Sequence, residues 1–104
     1  MRNLIVKRKK TFVACLVKVN LVIDGSTPVQ KNYLLKNGEK IIVPLDEYPH
    51  VLAAYFTVGS GYSNVVNVPA GEGDRAYLIS PHMGAFDCSL FLEEISPDDK
   101  ILQK

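Results

Sequence analysis

Two histidines, His50 and His82, are the side chains best suited to proton transfer or metal ligation in this 104-residue chain. Asp46, Glu47 and Asp87 lie close to them in sequence and would complete an acid–base or metal cluster if the fold gathered them. Metal sites on regular elements use spacings such as His-x-His on a strand or His-x-x-x-His on a helix, and neither spacing occurs. Both histidines therefore read as surface loop residues, and no metal is expected. Ser60 and the run Ser80-Pro81-His82 hold the letters of a nucleophile and a base, but the Gly-x-Ser-x-Gly elbow that strains and activates such a serine is missing. Gly59-Ser60-Gly61 and Gly71-Glu72-Gly73 each lead into strand-like sequence. A phosphate-cradling loop needs a helix N-terminus there instead, so these glycines read as turn residues, with no cofactor. No catalytic residue is expected, and the chain is not read as an enzyme.

Three other features bear on binding. Lys7-Arg8-Lys9-Lys10 is the densest run of charge. It suits phosphate contacts, or equally a lysine-protected strand edge or solvated turn. No aromatic side chains interleave it and the net charge is only +1, so nucleic acid is not the expected partner. The acidic residues Glu93, Glu94, Asp98 and Asp99 would balance it within one molecule or across a dimer. Tyr55, Tyr62 and Tyr77 fall on three successive strand-like segments. Tyrosine combines apolar area with a polar tip, so these rings either share an exposed patch or cap the ends of a core. The interaction surface expected from sequence is Lys7, Arg8, Lys9, Lys10, Tyr55, Tyr62 and Tyr77. Cys15 and Cys88 are the third feature: they lack Cys-x-x-Cys spacing and fall on apolar strand faces, and are expected to be buried, reduced thiols.

The elements that must carry these residues are strands. Apolar residues alternate with period two almost throughout. From Thr11 to Asp24, Val13, Cys15, Val17, Val19, Leu21 and Ile23 form one apolar face. Asn3 to Lys9 reads as an earlier strand, leading to a hairpin or a bend. Asp24-Gly25-Ser26-Thr27-Pro28 is a turn cluster. Val29–Lys36 and Glu39–Pro44 flank Asn37-Gly38, the pattern of a type I′ hairpin. Leu45–His50 reads as a loop, Val51–Val58 as a strand with Leu52, Ala54, Phe56 and Val58 on one face, and Tyr62–Val68 as another strand. Asp74–Ser80 and Ala85–Ile95 follow, separated by a loop over 80–84. About eight short strands at roughly ten-residue spacing predict a sandwich or barrel. One domain spanning 1–104 is expected, with 96–104 forming a helical turn or a frayed tail.

Composition agrees with such a core: 47% of residues are hydrophobic and 22% charged. No apolar run approaches the ~20 residues of a membrane helix. The opening MRNLIVKRKK is too short in apolar residues for a secretory signal, so a cytoplasmic location is expected.

The segments Val22-Ile23-Asp24-Gly25, Leu35-Lys36-Asn37-Gly38-Glu39 and His50-Val51-Leu52 together resemble small bacterial all-β accessory modules of the PEGA-like and immunoglobulin-like kind, over residues 1–58. The Pro-x-Gly-Ala entry of the PEGA pattern is missing. The resemblance implies a non-catalytic β-sandwich used as a spacer or interaction module, and assigns no site residue. The expectation is thus an antiparallel β-sandwich of seven to nine strands, immunoglobulin-like in general shape, with a partly open barrel as the alternative. Its expected role is structural or protein interaction, with an unidentified protein partner or self-association through a strand edge. The alternative role is binding of a small ligand or carbohydrate on a tyrosine-lined face.

Overall fold

The computed structural model describes residues 2–10, 18–24, 31–57, 63–83 and 88–103; for Lys31, Asn32, His82, Met83, Cys88 and Gln103 it describes the backbone alone. Eight strands lie among these residues: β1 (Arg2–Arg8), β2 (Val19–Ile23), β3 (Lys31–Leu35), β4 (Lys40–Leu45), β5 (His50–Phe56), β6 (Val66–Val68), β7 (Arg75–Met83) and β8 (Cys88–Ile95). A 3-10 turn, Lys100–Gln103, follows. The strands form two four-stranded sheets, ordered β4-β1-β7-β8 (sheet one) and β3-β2-β5-β6 (sheet two). The all-β sandwich expected from the alternation is present, and no closed barrel forms.

The alternation works because successive side chains point to opposite faces of a strand. Leu4, Val6, Val43, Tyr77, Ile79, Leu90 and Leu92 of sheet one meet Val19, Leu21, Ile23, Leu35, Leu52, Ala54, Phe56 and Val68 of sheet two in one buried cluster. Each aliphatic residue fully buried there contributes roughly 1.5–3 kcal/mol of transfer free energy. The apolar face read at Val19, Leu21 and Ile23 and that at Leu52, Ala54 and Phe56 are both inward. Cys15, with the rest of 11–17, lies outside the described residues, as does the Cys88 side chain.

Several connections differ from the sequence reading. Asn37-Gly38 does not join a hairpin: β3 belongs to sheet two and β4 to sheet one, so this turn carries the chain between layers. Glu39 N donates to Lys36 O at 2.9 Å, and Gly38 alone of the two central residues has positive φ, at 78°. Positive φ only at the second central position belongs to a type II turn, whereas type I′ needs it at both. Asn-Gly fixes that a turn occurs, but not whether the flanking strands pair. Sheet one is also not purely antiparallel: β1 runs parallel to β7, from Leu4↔Arg75 to Arg8↔Ile79. Finally, the loop read over 80–84 is strand up to Met83, with Pro81 opposite Leu90 on edge strand β8.

The layers are tied along one side by Asn64. Its amide nitrogen donates to Leu92 O at 3.0 Å and its amide oxygen accepts from Leu92 N at 2.9 Å. One side chain thus acts as a strand residue would, satisfying main-chain groups of edge strand β8. The outer face of sheet one is covered differently. Ala76, Leu78 and Leu102 are buried but stand outside the inter-sheet cluster, and Lys40 Nζ donates to Leu102 O at 2.9 Å. The C-terminal turn therefore folds back over sheet one rather than fraying.

Candidate functional site

Four places can be weighed: the end of the sandwich around His50, the basic run, the tyrosines, and the outer face of sheet two.

His50 opens β5, directly after the β4–β5 crossing. Its Nδ1 lies 2.5 Å from Asp24 Oδ2 and its Nε2 lies 2.7 Å from Asp46 Oδ1. Asp24 follows β2 in a left-handed conformation (φ 54°), which aspartate tolerates better than most residues. From there its N donates to Val51 O (2.9 Å) and its Oδ1 accepts from Val51 N (3.0 Å), leaving Oδ2 toward the imidazole. Arg2 sits at the same end, 2% exposed. Its guanidinium donates to three main-chain carbonyls: Asp46 O at 3.0 Å, Tyr48 O at 2.9 Å and Pro69 O at 2.7 Å. These bonds pin the β4–β5 crossing and the segment after β6 onto β1.

Both imidazole nitrogens can donate only when the ring is protonated, so two flanking carboxylates select the imidazolium. Burial is the largest single influence on His50 and pushes its pKa down. The hydrogen bonds and charges of Asp24 and Asp46 together outweigh it and raise the pKa above the ordinary 6.5. Asp46 is held below the ordinary 3.8, chiefly by its hydrogen bond to His50. The ring is saturated by these contacts and works as a brace between β2, the β4–β5 crossing and β5. It is not poised to take a proton from a substrate. Among the described residues no three His, Cys, Asp or Glu side chains are disposed to hold a metal ion. The His82 side chain, Asp87 and Ser60 lie outside the described residues.

The pH dependence of this brace has a definite sign. A raised histidine pKa contributes stability in full below about 6.5, and that stability fades as pH rises through the higher folded-state value. The lowered Asp46 pKa contributes above about 3.8 and fades as pH falls through its own folded-state value. The melting temperature is therefore expected to fall between pH 6 and pH 8.5, and His50→Asn is expected to flatten that slope. An equal slope in the variant would remove His50 from the account.

The basic run divides. Arg8 points between the sheets, is 1% exposed and donates from Nη1 to Leu35 O at 3.1 Å. Lys7 is 4% exposed, and its Nζ reaches Gly38 O at 2.5 Å. Neither belongs to an open surface as the sequence reading had it, because the strand runs on through both and each donates to main chain. Lys9 and Lys10 are exposed.

The tyrosines also separate. Tyr77 lies on β7 in sheet one, is buried in the inter-sheet cluster, and has a pKa raised by that burial. Tyr55 lies on β5 in sheet two, 43% exposed. They occupy different layers and opposite environments, so the expected patch of Tyr55, Tyr62 and Tyr77 is not assembled from Tyr77; Tyr62 lies outside the described residues.

The outer face of sheet two carries several exposed apolar side chains. Asn20 stands opposite Leu34 on one side and Tyr55 on the other, and Val22 stands opposite Ala53. Val51 faces Asn67 across β5 and β6. Leu34 is 56% exposed, and Val51, Tyr55 and Val65 are exposed as well. None of these side chains carries a charge. Alternation along β5 sets Val51, Ala53 and Tyr55 on one face, but it does not add Leu34 of β3 to them. The strand order β3-β2-β5 brings them together, and periodicity does not encode strand order.

No family model matches the chain, and no curated protein matches it either. Fold and site geometry thus define one class, a two-sheet β-sandwich with a mixed first sheet. No helix among the described residues is long and apolar enough to cross a membrane.

Proposed function

We propose that this chain is a non-catalytic β-sandwich module that works by contact, and that its outer sheet-two face associates with the same face of a second copy. The uncharged row of Leu34, Asn20 and Tyr55, extended by Ala53 and Val51, carries this reading. A two-fold contact sets each residue of a patch near its own copy, so like charges would repel, and a neutral apolar patch avoids that cost.

At strand spacings of about 4.8 Å and rises of about 3.4 Å, four strands of five residues cover about 300 Å². Stable interfaces bury about 800 Å² per partner, so the expected association is weak and transient. The strand-edge route is less favoured. Edge strand β4 contains Pro44, β6 has only three residues, and Asn64 already occupies Leu92 on β8. The ligand-binding alternative loses support because Tyr77 is buried in the opposite sheet.

Sedimentation equilibrium over a concentration series reaching the millimolar range tests the proposal. Wild type is expected to show reversible dimerisation that Leu34→Asp abolishes, while the variant keeps the wild-type melting temperature because Leu34 is exposed. A strictly monomeric wild type, or a dimer indifferent to Leu34→Asp and Tyr55→Asp, would overturn it.

A further inference from the structure

Strand register sets two rows of side chains across the outer face of sheet one. Ile42, Ile5, Ala76 and Ile95 stand side by side on β4, β1, β7 and β8, and Lys40, Lys7, Leu78 and Glu93 form the next row. The face is open toward both margins, where Ile42 is 57% and Phe91 49% exposed, but Ala76 and Leu78 in its middle are buried. The C-terminal turn, Lys100–Gln103, lies over it: Leu102 is buried, and its O accepts from Lys40 Nζ at 2.9 Å. We infer that this turn is a removable strap over a second contact surface, and that the surface it guards pairs with the same face of a second copy.

The strap is built to detach. Its hydrogen bonds from Asp99 N to Ser96 O (3.0 Å) and from Leu102 N to Asp99 O (3.1 Å) lie within the segment and survive when it lifts. Residues 96–100, which join β8 to Ile101, are exposed. The strap grips the sheet through the Leu102 side chain, the Lys40 bond and Ile101, which lies beside Lys7 and Gly38. Leu102 stands outside the inter-sheet cluster, so lifting it leaves that core intact. Terminal segments held this way open at much lower free energy than core strands.

The order of charges along the second row selects a second copy as the occupant. A two-fold contact uses the same patch on both partners, so the patch must complement itself. With the axis along the strands, β4 of one copy crosses β8 of the other. Lys40 then faces Glu93 of the second copy, and symmetry makes this pair occur twice. Ile42 faces Ile95 and Ile5 faces Ala76 of the second copy, so the apolar row meets itself. Lys7 falls over Leu78 of the second copy with its head already turned to Gly38 O. An axis across the strands would set β4 on β4, leaving Lys40 against Ile42 or against itself. The first arrangement is the complementary one.

The inference stands apart from the sheet-two reading, so every chain in the test carries Leu34→Asp to remove that contact. Sedimentation equilibrium of the full chain up to millimolar concentration is expected to show a monomer while the strap is intact. Adding Leu102→Ser removes the buried anchor and is expected to produce a reversible dimer. Adding Glu93→Lys to that released chain should weaken the dimer at least about fivefold, because two exposed ion pairs become two repulsions. Adding Lys40→Glu as well should restore it. A released chain that stays monomeric, or a dimer indifferent to Glu93→Lys, would overturn the inference. Amide exchange in the unsubstituted chain reads the strap without any variant: Leu102 N–H is expected to exchange far faster than Leu21 N–H of the core. Equal protection at the two would show that the turn does not lift, and would overturn the inference as well.

Discussion

Arg2→Met is expected to destabilise the protein by about 3–5 kcal/mol, although it alters a residue close to the start of the chain. Positions near a terminus usually tolerate change because little holds them. Here the guanidinium is 2% exposed and donates to Asp46 O, Tyr48 O and Pro69 O. Methionine keeps most of the aliphatic stem but removes every donor, leaving three carbonyls turned toward an apolar side chain. Hydrogen bonds to a charged donor are worth about 1.5–3 kcal/mol each, and part of that is recovered as water reaches the partly buried carbonyls. Against a typical domain stability of 5–15 kcal/mol, the loss is a large fraction. Arg2→Lys is expected to recover little, since one ammonium head cannot span three carbonyls in fixed directions. Urea denaturation reads the effect as a lowered midpoint at constant slope. A change under about 1 kcal/mol would mean that the β4–β5 crossing does not rely on Arg2.

The second large effect comes from two adjacent residues of one type. Leu35 is fully buried in the inter-sheet cluster, whereas Leu34 is 56% exposed on the outer face. Leu35→Ala is expected to cost about 2–5 kcal/mol through lost transfer energy and the cavity left behind. Leu34→Ala should stay within about 0.5 kcal/mol at concentrations where the chain is monomeric. A slip of β3 by one residue would exchange the two faces and invert this result. The pair therefore tests the register of β3 against β2, which runs from Val19↔Leu35 to Ile23↔Lys31.

The two leucines also mark how far the sequence could be read. Alternation sets Leu34 and Leu35 on opposite faces, and it sets Leu52, Ala54 and Phe56 together, because side-chain direction is local to a strand. Whether two neighbouring strands pair is not local. Asn37-Gly38 looks like a hairpin because its turn chemistry is the same whether the chain returns to its own sheet or crosses to the other. The parallel meeting of β1 and β7 joins residues some seventy positions apart, and no residue type announces it. The His50 brace is half legible. Asp46 is near in sequence, but Asp24 reaches His50 only through the pairing of β2 with β5. The basic run misleads for a related reason. Charge implies solvent, yet Arg8 and Lys7 are held by Leu35 O and Gly38 O, which folding brings to them.

The contact reading unites the exposed leucine, the surface tyrosine and their uncharged neighbours on the outer face of sheet two, and dilution tests it most directly. Backbone amide spectra recorded from millimolar to low micromolar concentration should show shifts confined to Leu34, Val51, Ala53, Tyr55 and their neighbours on the outer face of sheet two. Shifts concentrated instead on β4 or β8, or spectra that do not change with concentration, would contradict association through this face.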